Sequence, residues 1–174
     1  RCRVYLPPPA EHAAVAASAE PGDAALAIHV ELASDPRNLW CLQYGLTHFD
    51  HLFTPRQLVA LTTFSDLLAE VRTCVKADAV AAGMASDALG LEAGGSQAAA
   101  YAEGISVYLA SAISKLADRG SSLCTWFTER DSTRNTFARQ ALPMTWDYAE
   151  LNMLLDGTGS FDGAVAWTAE SLDC

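Results

Sequence analysis

The start of a helix near Thr54 constrains this 174-residue sequence more than any other feature. Thr54 stands where an N-cap hydroxyl accepts from the backbone N–H of Gln57, and the Gln57 side chain can return a bond to Thr54. Pro55 occupies the first helical position, where no N–H is needed. Phe53 and Leu58 stand at the positions of a hydrophobic staple. Because these local preferences agree, the sequence predicts a helix that begins here.

Two long helices are expected to form the body of the fold. Apolar residues recur at intervals of three and four after Thr54, at Leu58, Leu61, Phe64, Leu68, Val71 and Val75. Gly83 can cap the end of this helix. After a loop over residues 83–96, a second helix ends at Gly120 and carries an apolar stripe of Tyr101, Ile105, Tyr108, Ala112 and Leu116. Helices joined by a loop of this length should pair antiparallel.

The predicted fold is therefore mainly α, with shorter helices packed around the two long ones. The shorter helices are expected at residues 11–18, 132–142 (capped by Asp131), 145–152 (capped by Thr145) and after Ser160. A small N-terminal β element over residues 4–6 would make α+β the alternative class, and residues 26–32 fit a strand or a helical turn. Residues 1–38 are expected to form an irregular N-terminal segment, and residues 39–174 a helical domain.

Composition and charge narrow the functional classes. The chain is 51% hydrophobic and 18% charged, which is typical of a globular domain. Its net charge of −10 opposes a large nucleic-acid footprint unless positive charge is local. Four arginines and two acids lie between Arg119 and Gln140, whereas the stretch from Asp147 to the end has six acids and neither Lys nor Arg. Positive charge is thus concentrated in residues 119–140 and negative charge in residues 147–174.

The termini and the cysteines indicate a piece of an intracellular protein. Residue 1 is Arg, and no export leader precedes the domain, so we expect an internal segment of a larger protein. The five cysteines are scattered and form no Cys-x-x-Cys pair, which favours a reducing compartment without a disulfide framework or zinc ribbon. A cytoplasmic location without membrane contact follows as an expectation.

Several motifs have both a chemical and a plainer interpretation. The glycine-rich run over residues 157–163 lacks the spacing and the βαβ context of a nucleotide-binding loop, so a helix-entry turn is favoured. His48 and His51 lie near Asp50 without further ligands at convincing spacing, which favours structural histidines and predicts no metal site. Asp147 and Glu150 could form an acid/base pair, but two acids in a first helical turn are the favoured interpretation. No catalytic residue is predicted.

The densest cationic cluster lies between residues 130 and 140. On a helix, Arg130 and Arg134 would align, as would Asn135 and Arg139, and Gln140 follows. Arg binds phosphate bidentately, and Arg, Asn and Gln are the side chains that read base edges. The alternative is a solvated face, or arginines buried in ion pairs with neighbouring acids.

Several segments resemble one family. The run over residues 134–150, together with residues 44–46, 52–58 and 101–102, is similar to large prokaryotic adenine-specific DNA methylases that carry a zinc ribbon and an N-terminal domain of unknown function. Some of these are associated with anti-phage loci. The likeness covers residues 39–167 in the same order. One departure is that Asn152 is followed by Met153, where the family tends to have Asn-Pro-Phe.

The resemblance implies a target-contacting insertion of an S-adenosylmethionine-dependent DNA methyltransferase. The chain lacks the Asp-Pro-Phe-x-Gly-x-Gly-type cofactor loop, the Asp-Pro-Pro-Tyr catalytic motif and the zinc-ribbon cysteines, so we expect it to be inactive alone and to hold no cofactor. Its partners would be DNA and the rest of the methylase chain. The expected DNA contacts are Arg56, Gln57, Arg130, Arg134, Asn135, Arg139 and Gln140.

A second hypothesis is a helical protein–protein interaction or scaffolding domain without nucleic-acid binding. The overall acidity and the tryptophans Trp40, Trp126 and Trp167 motivate it. This hypothesis predicts that Arg134 and Arg139 are buried in ion pairs, and that the isolated chain self-associates or binds a basic partner.

Overall fold

Helices dominate the computed structural model, which describes residues 6–155 and 157–172. The α-helices of this part are α1 (Ala10–Ala17), α2 (Pro55–Ala81), α3 (Ala98–Arg119) and α4 (Phe161–Glu170). Three 3₁₀ turns span Asp23–Ile28, Trp40–Tyr44 and Asp50–Leu52. Two short strands, β1 (Trp126–Phe127) and β2 (Ser132–Thr133), pair antiparallel. The prediction of a mainly α fold is confirmed.

The boundaries of α2 follow from local chemistry. The Thr54 hydroxyl accepts from the Gln57 N–H at 3.4 Å, and the Gln57 Oε1 accepts from the Thr54 N–H at 2.8 Å, which confirms the predicted capping box. Pro55 is the first helical residue. At the other end, Gly83 has a φ of +102°, and its N–H donates to the Val80 carbonyl at 3.0 Å. A left-handed residue ends the helix there, as expected for glycine.

The two long helices pack together as an antiparallel pair. Leu61, near the start of α2, shares a core with Leu116, near the end of α3. Farther along α2, Arg72 pairs with Glu103, which lies near the start of α3. Helix α4 packs on α3 and stacks the ring of Phe161 on Phe64 of α2. The predicted antiparallel arrangement is therefore confirmed.

The face that α3 buries differs from the predicted stripe. Ala112 and Leu116 are buried as expected, but Tyr101 is 48% exposed and Tyr108 is 43% exposed. The first turns of α3 bury alanines instead, over residues 98–102. Small side chains let neighbouring backbone approach closely, so the bulky rings lie on the outside of this helix.

A second core joins the N-terminal segment to the loops after α3. Its buried members are Leu32, Cys41, Leu52, Leu123 and Leu142. The predicted strand or helical turn over residues 26–32 is a 3₁₀ turn followed by one isolated bridge, between Glu31 and His48. Of the predicted N-terminal strand, Val4 and Tyr5 lie outside the described residues, and Leu6 has no regular structure.

Among the four shorter helices predicted, two are confirmed and two are wrong. Helix α1 matches the first, and the Ser160 hydroxyl caps α4 by accepting from Gly163 at 3.1 Å. Residues 132–142 form β2 and irregular structure, because Asp131 has a φ of +48° and turns the chain instead of capping a helix. Residues 145–152 are also irregular, since the Thr145 hydroxyl donates to the Leu123 carbonyl at 3.0 Å.

Within residues 6–155 and 157–172, no helix has both the length and the apolar character that crossing a bilayer demands. Cys41, Cys74 and Cys124 are free thiols.

Replacing Thr54 by Ala should lower the free energy of unfolding by about 1 kcal/mol, because the N–H of Gln57 loses its capping acceptor. Urea denaturation of the chain measures this change. The control is Thr73→Ala in the middle of α2, where the hydroxyl bonds only the Ala69 carbonyl one turn earlier. Equal effects of the two substitutions would contradict the capping argument.

Candidate nucleic-acid interface

The turn between β1 and β2 brings two of the predicted arginines together. The Arg134 guanidinium carbon lies 4.5 Å from the centre of the Phe127 ring, and that of Arg130 lies 5.6 Å from the same centre. The two cations therefore share one aromatic ring, which attracts positive charge through its quadrupole. The sequence predicts that Arg130 and Arg134 align on a helix, whereas the structure brings them together at a β-hairpin.

The end of α3 supplies a third arginine. The Arg119 Nη1 donates to the Thr133 carbonyl at 3.0 Å, and the Thr133 hydroxyl donates to the Arg119 carbonyl at 3.1 Å. Thr133 is only 1% exposed, so this reciprocal pair ties the last turn of α3 firmly to β2. The sequence shows Arg119 as part of the local positive charge but gives no sign that it belongs to the site. Its partner Thr133 lies 14 positions away, so no local pattern reveals the contact.

These residues line a cavity of about 550 Å³, which we call the arginine cleft. Its charged lining residues are Arg119, Arg130, Arg134 and Arg139, and neither Asp nor Glu is among the described residues of its wall. Within residues 6–155 and 157–172, no ion pair joins these four guanidiniums to a carboxylate. Four guanidiniums in one concavity favour an anionic ligand, and guanidinium matches phosphate oxygens in geometry.

The positive charge extends along α3. Burial first, and then the charge of Arg119, lower the pKa of Lys115, while Asp118 acts in the opposite direction. The positive charge of Arg119 thus makes the charged form of Lys115 less favourable, as expected for two neighbouring cations.

Asp118, near the end of α3, holds the segment that carries the arginines. Its carboxylate accepts from the Asn135 side chain and, at 2.8 Å, from the Phe137 N–H. Its backbone carbonyl accepts from the Thr136 hydroxyl at 2.8 Å, and that hydroxyl also lies 2.7 Å from the buried Ser121 hydroxyl. The segment that carries the arginines is thus fixed to α3 by side-chain bonds, although it forms no helix.

The remaining predicted contact residues have other surroundings. The Arg56 guanidinium is bonded to Glu150, and this hydrogen bond raises the pKa of Arg56. Gln57 is 3% exposed and serves the capping box. Asn135 is engaged by Asp118, and Gln140 is exposed outside the cleft wall. The structure therefore brings together Arg130, Arg134, Asn135 and Arg139, and separates Arg56 and Gln57 from them.

The glycine-rich run over residues 157–163 forms a turn that leads into α4. Gly159 has a φ of +93°, and the run enters the helix through the Ser160 cap. The described residues before it, 151–155, contain no strand, so the βαβ setting of a nucleotide-binding loop is missing there. The favoured interpretation of the run as a helix-entry turn is confirmed.

A group of histidines has the composition of a metal site. One imidazole nitrogen from each of His29, His48 and His51 lies within 4.8 Å of the others. Asp50 accompanies them, and its Oδ2 lies 3.0 Å from the Nδ1 of His29. Burial raises the pKa of Asp50. The hydrogen bond and charge of His29, together with the charge of His51, lower that pKa by more, so it lies below its ordinary value.

Comparison of the chain with protein-family models, with curated proteins and with solved structures gives no match.

Replacing Asp118 by Ala should lower the free energy of unfolding by about 2 kcal/mol, because the Asn135 side chain and the Phe137 N–H lose a charged hydrogen-bond acceptor. Urea denaturation tests this expectation. Asp66→Ala is the matched control, since Asp66 is exposed on α2 and has no hydrogen bond or ion pair among residues 6–155 and 157–172. A loss no larger than that of the control would refute the role of Asp118.

Proposed function

We propose that the chain is a non-catalytic, target-contacting segment of an S-adenosylmethionine-dependent adenine-specific DNA methyltransferase. In this proposal, the arginine cleft contacts the phosphate backbone of DNA. The observation that carries it is the gathering of four arginines in one cleft whose described wall residues include neither Asp nor Glu, in a chain whose net charge is −10. An acidic protein approaches DNA only where positive charge is concentrated.

The exposure of the arginines supports DNA contact over the scaffolding alternative. The alternative requires Arg134 and Arg139 to be buried in ion pairs, yet both are exposed, and neither has a carboxylate partner among the described residues. Stacking against Phe127 orients the Arg134 guanidinium without neutralising it. Asn135 lines the arginine cleft but already donates to Asp118, and Gln140 lies outside the cleft wall. The contact that we propose is therefore to phosphate and not to base edges.

The resemblance to methylases supplies the rest of the proposal. Binding of S-adenosylmethionine and methyl transfer would belong to the rest of the methylase chain, and a cytoplasmic location would follow from contact with chromosomal or phage DNA. The free thiols of Cys41, Cys74 and Cys124 are consistent with a reducing compartment.

The double variant Arg134→Ala/Arg139→Ala should weaken binding of the chain to short duplex DNA. Loss of two phosphate contacts should also reduce the slope of log K against log salt concentration by about 2. Fluorescence anisotropy of labelled DNA over a series of salt concentrations measures both quantities. Sequence preference should be unchanged, because phosphate contacts do not distinguish bases.

The matched control is Arg37→Ala/Arg72→Ala, which removes the same formal charge outside the cleft. Arg37 is exposed in the N-terminal segment, and Arg72 pairs with Glu103 between α2 and α3. If the control weakens DNA binding as much as the cleft variant does, net charge alone explains the result. Unchanged binding by the cleft variant would refute the proposal.

A protein-interaction role is the second candidate, favoured by exposed tryptophans. Trp40, Trp126 and Trp167 are each about half exposed, at 57%, 48% and 58%. Rigid aromatic side chains are enriched where proteins dock. If this role is correct, sedimentation should show self-association of the chain that Trp167→Ala reduces, and the Arg134 and Arg139 substitutions should leave it unchanged.

A further inference from the structure

The three histidines of the candidate metal group come from two segments that the backbone holds side by side. His29 follows the 3₁₀ turn Asp23–Ile28, whereas His48 and His51 lie just before α2. The Phe49 N–H donates to the Val30 carbonyl at 2.9 Å, and the Leu32 N–H donates to the Thr47 carbonyl at 2.9 Å. This short antiparallel pairing fixes His29 opposite the other two rings.

The three imidazoles lie close together, but two of them must turn relative to each other to share an ion. The rings of His29 and His48 are stacked, with centres 4.0 Å apart and 6° between their planes, and the centres of His48 and His51 are 5.0 Å apart. With Zn–N bonds of about 2.1 Å, two nitrogens on a tetrahedral ion lie about 3.4 Å from each other. We expect side-chain rotation to bring the nitrogens, now within 4.8 Å of one another, to this separation.

Hydrogen bonds engage one nitrogen in each of two rings. The Nδ1 of His29 is bonded to Asp50, and the Nδ1 of His48 lies 2.9 Å from the Thr47 hydroxyl. Each bond leaves the Nε2 of that ring available as a ligand atom, and for His29 the partner is a carboxylate, as in the carboxylate–histidine–metal order common in zinc proteins. The Oδ1 of Asp50 is inaccessible to solvent and has no hydrogen-bond partner among the described residues.

His51 needs one adjustment. Its Nδ1 accepts from the Thr47 N–H at 3.3 Å, near the long end of the hydrogen-bond range. A neutral imidazole that binds a metal through one nitrogen carries its proton on the other. Coordination through Nε2 therefore requires this long bond to break.

We propose that His29, His48 and His51 bind one Zn²⁺-class transition-metal ion, with Asp50 as a positioning residue for His29. His48 and His51 are half-buried and His29 is exposed, so the fourth coordination position faces solvent and takes a water molecule. Imidazole nitrogen suits Zn²⁺ and its neighbours in the first transition series. The ion would fasten the N-terminal segment to the residues just before α2, and this role is independent of DNA contact.

Isothermal titration of the metal-free chain with Zn²⁺ tests the proposal. We expect one ion per chain, and His29→Gln should weaken Zn²⁺ binding by more than the roughly 10–100-fold that loss of an outer partner causes. Asp50→Asn should produce that smaller loss while the free energy of unfolding of the metal-free protein changes little. His12→Gln is the matched control, because His12 is exposed on α1 outside the histidine group. The His12→Gln variant should bind Zn²⁺ as tightly as the unsubstituted chain.

Two further measurements on the unsubstituted chain make the test independent of variant folding. Zn²⁺ should shift the imidazole ¹⁵N resonances of His29, His48 and His51 and leave those of His12 in place. Co²⁺ bound to the histidines should give visible absorption bands. The absence of a sulfur-to-cobalt charge-transfer band would show that no cysteine thiolate, such as that of Cys74, is a ligand. Absence of stoichiometric binding, binding that His29→Gln does not weaken, or equal shifts for His12 would overturn the proposal.

Discussion

The last turn of α3 holds the irregular segment on which the candidate interface depends. Backbone groups in such a segment must find partners outside a helix or sheet ladder. Here Asp118 accepts from Asn135, Thr136 and Phe137, and Arg119 exchanges bonds with Thr133. The cleft therefore has a defined shape although it lies in a part of the chain with only two short strands. Its rigidity comes from the helix beside it.

Local chemistry predicted the long helices, and it failed where distant partners decide the conformation. Thr54, Gln57 and Gly83 act on their own neighbours, so both ends of α2 were readable from the sequence. The helix predicted over residues 132–142 had a capping residue and suitable spacing as well. Its first residues instead bury their hydroxyl groups, and Thr133 bonds Arg119, 14 positions away. No local pattern encodes that partner.

The candidate sites show the same division. The cluster from Arg130 to Arg139 was visible as charge, but the addition of Arg119 and the shared Phe127 ring required the fold. Gln57 had two predicted roles, as a cap and as a DNA contact, and the cap occupies it. The histidine group was only partly visible, because His29 lies 21 positions before its partner Asp50.

Phe53 packs against both hydrophobic cores and so connects them. The core that contains Leu32 also contains Leu123, which lines the arginine cleft. Cores of this kind transmit strain because they are densely packed. A shortened protein that begins at Leu39 would therefore lose more than its first segment. It would leave a cavity where Leu32 had been, beside the residues that form the cleft, so a stable shortened version of this domain should begin before Leu32.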